Sequence, residues 1–142
     1  MNEYTFADIT VGLEASFERE ITLDMENKFR EISGDENPLH RDDAFAATVG
    51  DGRFPGHVAF GMLTASLYST LAGMYLPGKY SLIHSFDKLS FVKPVFAGDI
   101  LTTTGQVVEK VEALNLIQVN AAIRNQNNQV VSKAKIKILL TK

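Results

Sequence analysis

The sequence predicts an α+β fold in which an antiparallel sheet wraps around one long central helix. Two observations carry this reading. The stretch GMLTASLYSTLAGMY, Gly61 to Tyr75, has Leu63, Leu67 and Leu71 on one face, Ala, Ser, Thr or Gly over much of the rest and no charge, which is the pattern of a buried helix. Beyond it, the chain alternates apolar with polar residues, which is the pattern of strands with one covered face. A sheet closed around the helix satisfies both. With 142 residues and 45% apolar content, the chain fits a single domain over 1–142 with a single core.

The elements follow in order. LEASFEREITL, Leu13 to Leu23, alternates Ala15, Phe17, Arg19 and Ile21 against Ser16, Glu18 and Glu20 and predicts a first strand. Met25, Phe29 and Ile32 recur at helical spacing and predict an amphipathic helix over Asp24 to Ser33, with Gly34 just past its end. Pro38 then bars Asn37 from the helical region. Asp42 and Asp43 open a short helix running to Thr48, since carboxylates favour a helix N-terminus. Val49 to Phe60 holds three Gly and a Pro and reads as a loop. After the central helix, LPGK ends the helical run, and strands are expected over Tyr80–Pro94, Asp99–Ala113, Asn115–Asn125 and Gln129–Leu140. RNQNNQ forms the turn between the last two.

Composition narrows the function. A net charge of −3 gives no general attraction to nucleic acid or an anionic membrane. No cysteine is present, which excludes disulfides, thiolate metal sites and a cysteine nucleophile. No apolar run approaches the roughly 20 residues of a membrane span, and the opening MNEYTFADIT is unlike a signal peptide. A cytoplasmic protein is expected. His57 and His84 lack partners at metal-ligand spacing, so no metal is expected. GDGRFPGH lacks the Lys-Ser/Thr of a phosphate loop and reads as a plain loop. Lys133, Lys135 and Lys137 mark a solvated strand face, or alternatively a surface for a coenzyme phosphate or an acidic carrier.

The chemistry-bearing segment is ISGDENPLHRDDAFAA, Ile32 to Ala47. It sets Asp35 and His40 on either side of a proline, in a stretch that is neither helix nor strand. The residues alone leave two readings open. The pair holds a water, or Asp35 closes a local turn at Asn37 or caps the helix at Asp42 while His40 is an ordinary loop histidine.

The segment resembles the signature of the (R)-specific enoyl-CoA hydratases, the MaoC-like dehydratases of the hot-dog fold, including the small residue Ala46 beyond the His. The likeness continues through GMLTASLYSTLAGMYLPGK and LSFVKPVFAGD and fits nearly the whole chain. It implies a single hot-dog domain, and hydration of trans-2-enoyl thioesters to (R)-3-hydroxyacyl thioesters or the reverse dehydration. Asp35 and His40 are then the catalytic pair, and the Gly61 amide is the oxyanion donor at a helix N-terminus. Ser69 and Asn37 take supporting roles, Asn37 by fixing the loop, and Phe60 and Met62 border the substrate pocket. No cofactor is expected beyond the CoA or acyl-carrier-protein thioester that carries the acyl group, and a homodimer is implied. One departure stands out: relatives usually read His-Gly-Met at the start of the central helix, and this chain reads Phe60-Gly61-Met62, with His57 the nearest upstream imidazole. Two other readings place the same fold as an acyl thioesterase or as a non-catalytic acyl-thioester binder.

Overall fold

The computed structural model describes residues 1–142. Five strands, β1 Glu14–Glu20, β2 Ser81–Phe91, β3 Ile100–Val111, β4 Leu116–Arg124 and β5 Val130–Leu140, form one antiparallel sheet in the order β1-β3-β4-β5-β2. Three helices, α1 Leu23–Ser33, α2 Asp43–Thr48 and α3 Gly61–Thr70, lie between β1 and β2 in the chain. The sheet curls around α3 in the hot-dog arrangement that the family resemblance implies. Its register brings Val119 opposite both Val107 and Ile136. These side chains, with Ile117, Ile123 and Ile138, form a fully buried inner face against Leu67, Tyr68 and Leu71.

Gly105 on β3 lies directly under α3 and its continuation. A Cβ there would lie 2.7 Å from Leu71 Cδ2 and 3.0 Å from Val119 Cγ1, so a larger residue forces those core side chains to move. Polar groups enter this interior in two ways: the buried hydroxyls of Thr64 and Thr103 have no hydrogen-bond partner, whereas Tyr68 and Ser132 are paired. Tyr68 donates to Ser132 Oγ at 2.9 Å, and Ser132 donates onward to the Ser90 carbonyl at 2.9 Å. Burial pushes the Tyr68 phenol up to about 12, although the bond to Ser132 opposes the shift.

Three sequence expectations change. The central helix does not run uniformly from Gly61 to Tyr75: it is α-helical to Thr70 and continues as a π-helical turn over Leu71–Tyr75. The wider turn keeps Leu71 and Ala72 in the core and leaves Met74 outside. Nor is the helix covered all round. Met62 (58% exposed), Ser66, Ser69 and Met74 form an outward stripe, because five strands enclose only the opposite side. Residues that are small and uncharged look buried in sequence whether a sheet or a partner covers them. Ile32, assigned to the buried face of α1, is instead exposed. The buried face is rotated toward Met25, Glu26 and Phe29, and the last turn of α1 reaches past the body of the domain.

The end of α1 fixes where the next segment begins. Thr22 Oγ1 accepts from the Met25 amide at 3.2 Å at the start, and Gly34 closes the helix in the left-handed conformation, φ 70°, donating its N–H to the Arg30 carbonyl. Nothing lies within 4 Å of a Cβ placed on Gly34, so conformation alone excludes larger residues. Gly34→Ala is expected to cost about 1 kcal/mol of stability, read as a lowered denaturation midpoint with unchanged slope in urea.

Candidate active site

Asp35 leaves the left-handed cap of α1 into a segment that has no ladder partners and is held by its own side chains. Its amide donates to Ser33 Oγ at 3.2 Å. Its Oδ1 accepts from the Asn37 amide at 3.0 Å, and Asn37 Oδ1 in turn accepts from the Leu39 amide at 3.0 Å. Pro38 starts a short 3-10 turn that ends on His40, and Asp42 Oδ1 caps α2 by accepting from the Phe45 amide at 3.0 Å. The local turn weighed as the plainer reading of Asp35 is therefore present. It engages only Oδ1, and Oδ2 has no partner within the chain.

His40 is fixed from the other side. Its Nδ1 lies 2.7 Å from the Val58 carbonyl. A carbonyl oxygen only accepts, so Nδ1 carries the proton and Nε2 is the nitrogen free to exchange one. Phe60 packs against the imidazole at 4.4 Å between ring centroids, and Phe29 backs Phe60 at 5.1 Å. Phe60 is buried and forms an apolar wall behind His40.

Asp35, His40, Phe60, Gly61 and Met62 line one cavity of about 260 Å³. A second, of about 320 Å³, shares His40, Gly61 and Phe91 with it and runs on past Val58, Ala59, Val95 and Val131. Gly61 is the first residue of α3, and its N-cap, Phe60, supplies no side-chain acceptor. The first-turn amides are thus left without a side-chain cap beside the cavity. Asn37 holds the loop and lines neither cavity. Ser69 is exposed on the outward stripe of α3 and within one chain is not brought to the cavity of Asp35 and His40.

Several residues escaped the sequence reading. Thr64 lines the larger cavity, and its buried hydroxyl has no hydrogen-bond partner. Lys93 lines the same cavity and also a neighbouring one of about 530 Å³, which Arg53 and the Asn125–Gln129 turn complete. His57 lies between two carboxylates, its Nδ1 2.6 Å from Asp43 Oδ1 and its Nε2 3.2 Å from Glu26 Oε2. Asp43 Oδ1 also accepts the His57 backbone N–H at 2.8 Å. Glu26 is only 4% exposed, and its Oε1 is unpartnered. No contiguous motif announces this cluster, because its members come from α1, α2 and the loop. No group of three or more His, Asp or Glu side chains is placed to hold a metal. Lys133 and Lys135 are exposed on the outer face of the sheet, and Lys137 there pairs with Asp87 at 3.1 Å.

Electrostatics around His57 run in two directions. Burial of the ring disfavours its charged form, but hydrogen bonds to Asp43 and Glu26, reinforced by their charges, outweigh this and raise it above the ordinary 6.5. The amide and side-chain hydrogen bonds from His57 hold the exposed Asp43 below the ordinary 3.8. A raised histidine stabilises the fold fully below its unfolded value and loses that contribution as pH rises through the folded one. A lowered carboxylate contributes above its unfolded value and loses it as pH falls. The stability advantage of wild type over His57→Gln is therefore expected to be largest between about pH 4 and pH 6.5. It should shrink on both sides of that window in urea titrations across pH.

A family model described as "MaoC like domain" matches residues 7–129. The chain is 49% identical over 79 residues to an (R)-specific enoyl-CoA hydratase of Aeromonas caviae, a match covering 56% of this chain and 56% of that protein. It is 36% identical over 104 residues to a 3-hydroxybutyryl-CoA dehydratase of Methylorubrum extorquens, covering 73% of this chain and 64% of that one. The chain thus spans somewhat over half the length of these curated relatives. Among solved structures, an (R)-hydratase from A. caviae involved in PHA biosynthesis superposes with a TM-score of 0.85 at 34% identity, covering 93% of this chain and 97% of the other.

Proposed function

Because the chain belongs to the MaoC-like domain family, we propose that it is a hydro-lyase, adding water across trans-2-enoyl thioesters to give (R)-3-hydroxyacyl thioesters or removing it in reverse. The observation that carries this reading is that Asp35, His40 and Gly61 line one cavity, with the tautomer of His40 set by the Val58 carbonyl. In hydration, the oxygen of water bonds to C3 of the conjugated thioester, one water proton leaves to the Asp35–His40 pair, and the pair returns one proton to C2. Each turnover leaves the pair as it began. Asp35 Oδ2 and His40 Nε2 are the two atoms free for this exchange.

Negative charge develops on the thioester oxygen as C3 is attacked, and in this reading the uncapped Gly61 amide at the positive end of α3 receives it. Hydration changes no oxidation state, so water is the only cosubstrate the reaction needs and no redox cofactor takes part. The apolar walls of the larger cavity take the acyl chain. Lys93 and Arg53, bordering the adjoining cavity, supply positive charge for the phosphate of a CoA or acyl-carrier-protein thioester. No helix is long and apolar enough to cross a membrane, and a cytoplasmic location belongs to the same proposal.

The proposed enzyme is a homodimer. The outward stripe of Met62, Ser66, Ser69 and Met74 leaves the central helix half covered in one chain, and a two-fold related copy covers it with the same surface. Sedimentation equilibrium is expected to give twice the 15.7 kDa chain mass, and Ser66→Arg to shift the population toward monomer.

Purified protein mixed with crotonyl-CoA is expected to bleach the ultraviolet absorbance of the conjugated double bond and release no free thiol. Asp35→Asn and His40→Ala are each expected to lower kcat by roughly 10²- to 10⁴-fold while preserving the fold. Free thiol release without hydration would instead favour a thioesterase, and inactivity on CoA and carrier-protein thioesters a binding protein.

A further inference from the structure

We propose that His57 is a positioning residue for the Asp35–His40 pair: by clasping Glu26 on α1 and Asp43 on α2, it registers the segments that carry the pair against the Val58 carbonyl. The inference rests on the hydratase reading of the cavity and adds a residue that does not touch substrate.

The connectivity makes the case. α1 delivers Asp35 at its C-terminal end, and α2 begins just after His40. Val58, whose carbonyl receives His40 Nδ1–H, directly follows His57 in a stretch that has Gly56 and no helix or strand of its own. Backbone bonds tie Val58 and Ala59 to Leu39 and Val95 at 2.9 and 2.8 Å, but neither reaches α1. The His57–Glu26 contact does, and Asp43 grips both the backbone and the ring of His57. A single imidazole therefore joins the three segments behind the cavity.

Glu26 argues that geometry, rather than stability, is what the clasp supplies. A carboxylate only 4% exposed, with one oxygen unpartnered, carries a desolvation cost that one histidine contact offsets poorly. An apolar pair would fill that space at no electrostatic cost. Arg30, Arg41 and His40 are the other charged or titratable groups lining the small space between Glu26 and His57. Both arginines are engaged with Glu36, at 3.7 and 2.9 Å, so His57 is the group left to balance Glu26.

The double variant Glu26→Met/His57→Leu separates the two roles, since it removes both charges and leaves neither unpaired. It is expected to fold with a Tm equal to or above wild type, yet to lose roughly ten- to a hundredfold in kcat on crotonyl-CoA with KM little changed. His57→Gln, which keeps one hydrogen bond, should recover part of that loss. Imidazole ¹⁵N spectra of His40 should pass from the single Nδ1-protonated form of wild type to a mixture of tautomers in the double variant. A folded double variant with kcat and KM within twofold of wild type and an unchanged His40 spectrum overturns the inference. Should wild type prove inactive on every thioester, the hydratase reading fails, and the His40 spectra alone then decide whether His57 positions His40.

Discussion

The bond from His40 Nδ1 to the Val58 carbonyl, 2.7 Å long, is the contact on which the site depends. It joins two segments that regular structure does not join: the 3-10 turn ending at His40 and the strand-like approach to α3. Because the acceptor is a carbonyl, the bond also decides the chemistry of the ring, committing Nδ1 to the backbone and Nε2 to the cavity. The rest of the molecule positions its two ends. The sheet holds α3, and with it Ala59 through Val95. α1 and its left-handed cap hold the chain entering Asp35. Without the curled sheet the acceptor would have no fixed place, and without the cap the carboxylate would leave α1 in another direction.

How much of this was legible in sequence depends on whether a feature is local. Alternation in β4 and β5, the Gly34 cap and the break at Pro38 are written in residues a few positions apart, and the structure follows them closely. The spacing of Asp35, Asn37 and His40 marked the loop for the same reason, and the hydrogen bonds now show how it is held. The stripe on α3 was misread because Ser66 and Ser69 are small and neutral, and their neighbours in space are not encoded nearby. Ile32 was misread because a period gives the apolar face but not how far the helix end reaches past the core. The Glu26–His57–Asp43 cluster was invisible: its members are separated by 14 and 31 positions, and a carboxylate in an amphipathic helix reads as solvated.

Phe60 shows how one substitution redistributes the work around a site. Relatives of this signature usually carry an imidazole there, and in this chain the aromatic ring packs against His40 and is backed by Phe29. An apolar wall gives His40 no hydrogen bond, which leaves the Val58 carbonyl as its sole protein partner. It also screens His40 from water on that side, so the bond that remains acts in a lower dielectric. The imidazole that this chain does carry, His57, sits one layer further out, where it balances a buried carboxylate instead of facing the cavity.

That layering accounts for an otherwise uneconomical arrangement. The loop carboxylate Asp35 is exposed and held by a single Asx-turn, whereas the carboxylate of Glu26 is buried and half satisfied. If stability alone governed, the buried position would be apolar and the exposed loop free to vary. In the proposed hydratase, a site that exchanges protons with water needs its carboxylate wet and its backbone still. Stillness in a loop without ladder partners has to come from beneath it. Local turns supply part of it, through Ser33 and Asn37. The remainder is supplied by contacts such as that of His57 with Glu26, which costs desolvation and holds α1 against the loop that carries the Val58 carbonyl.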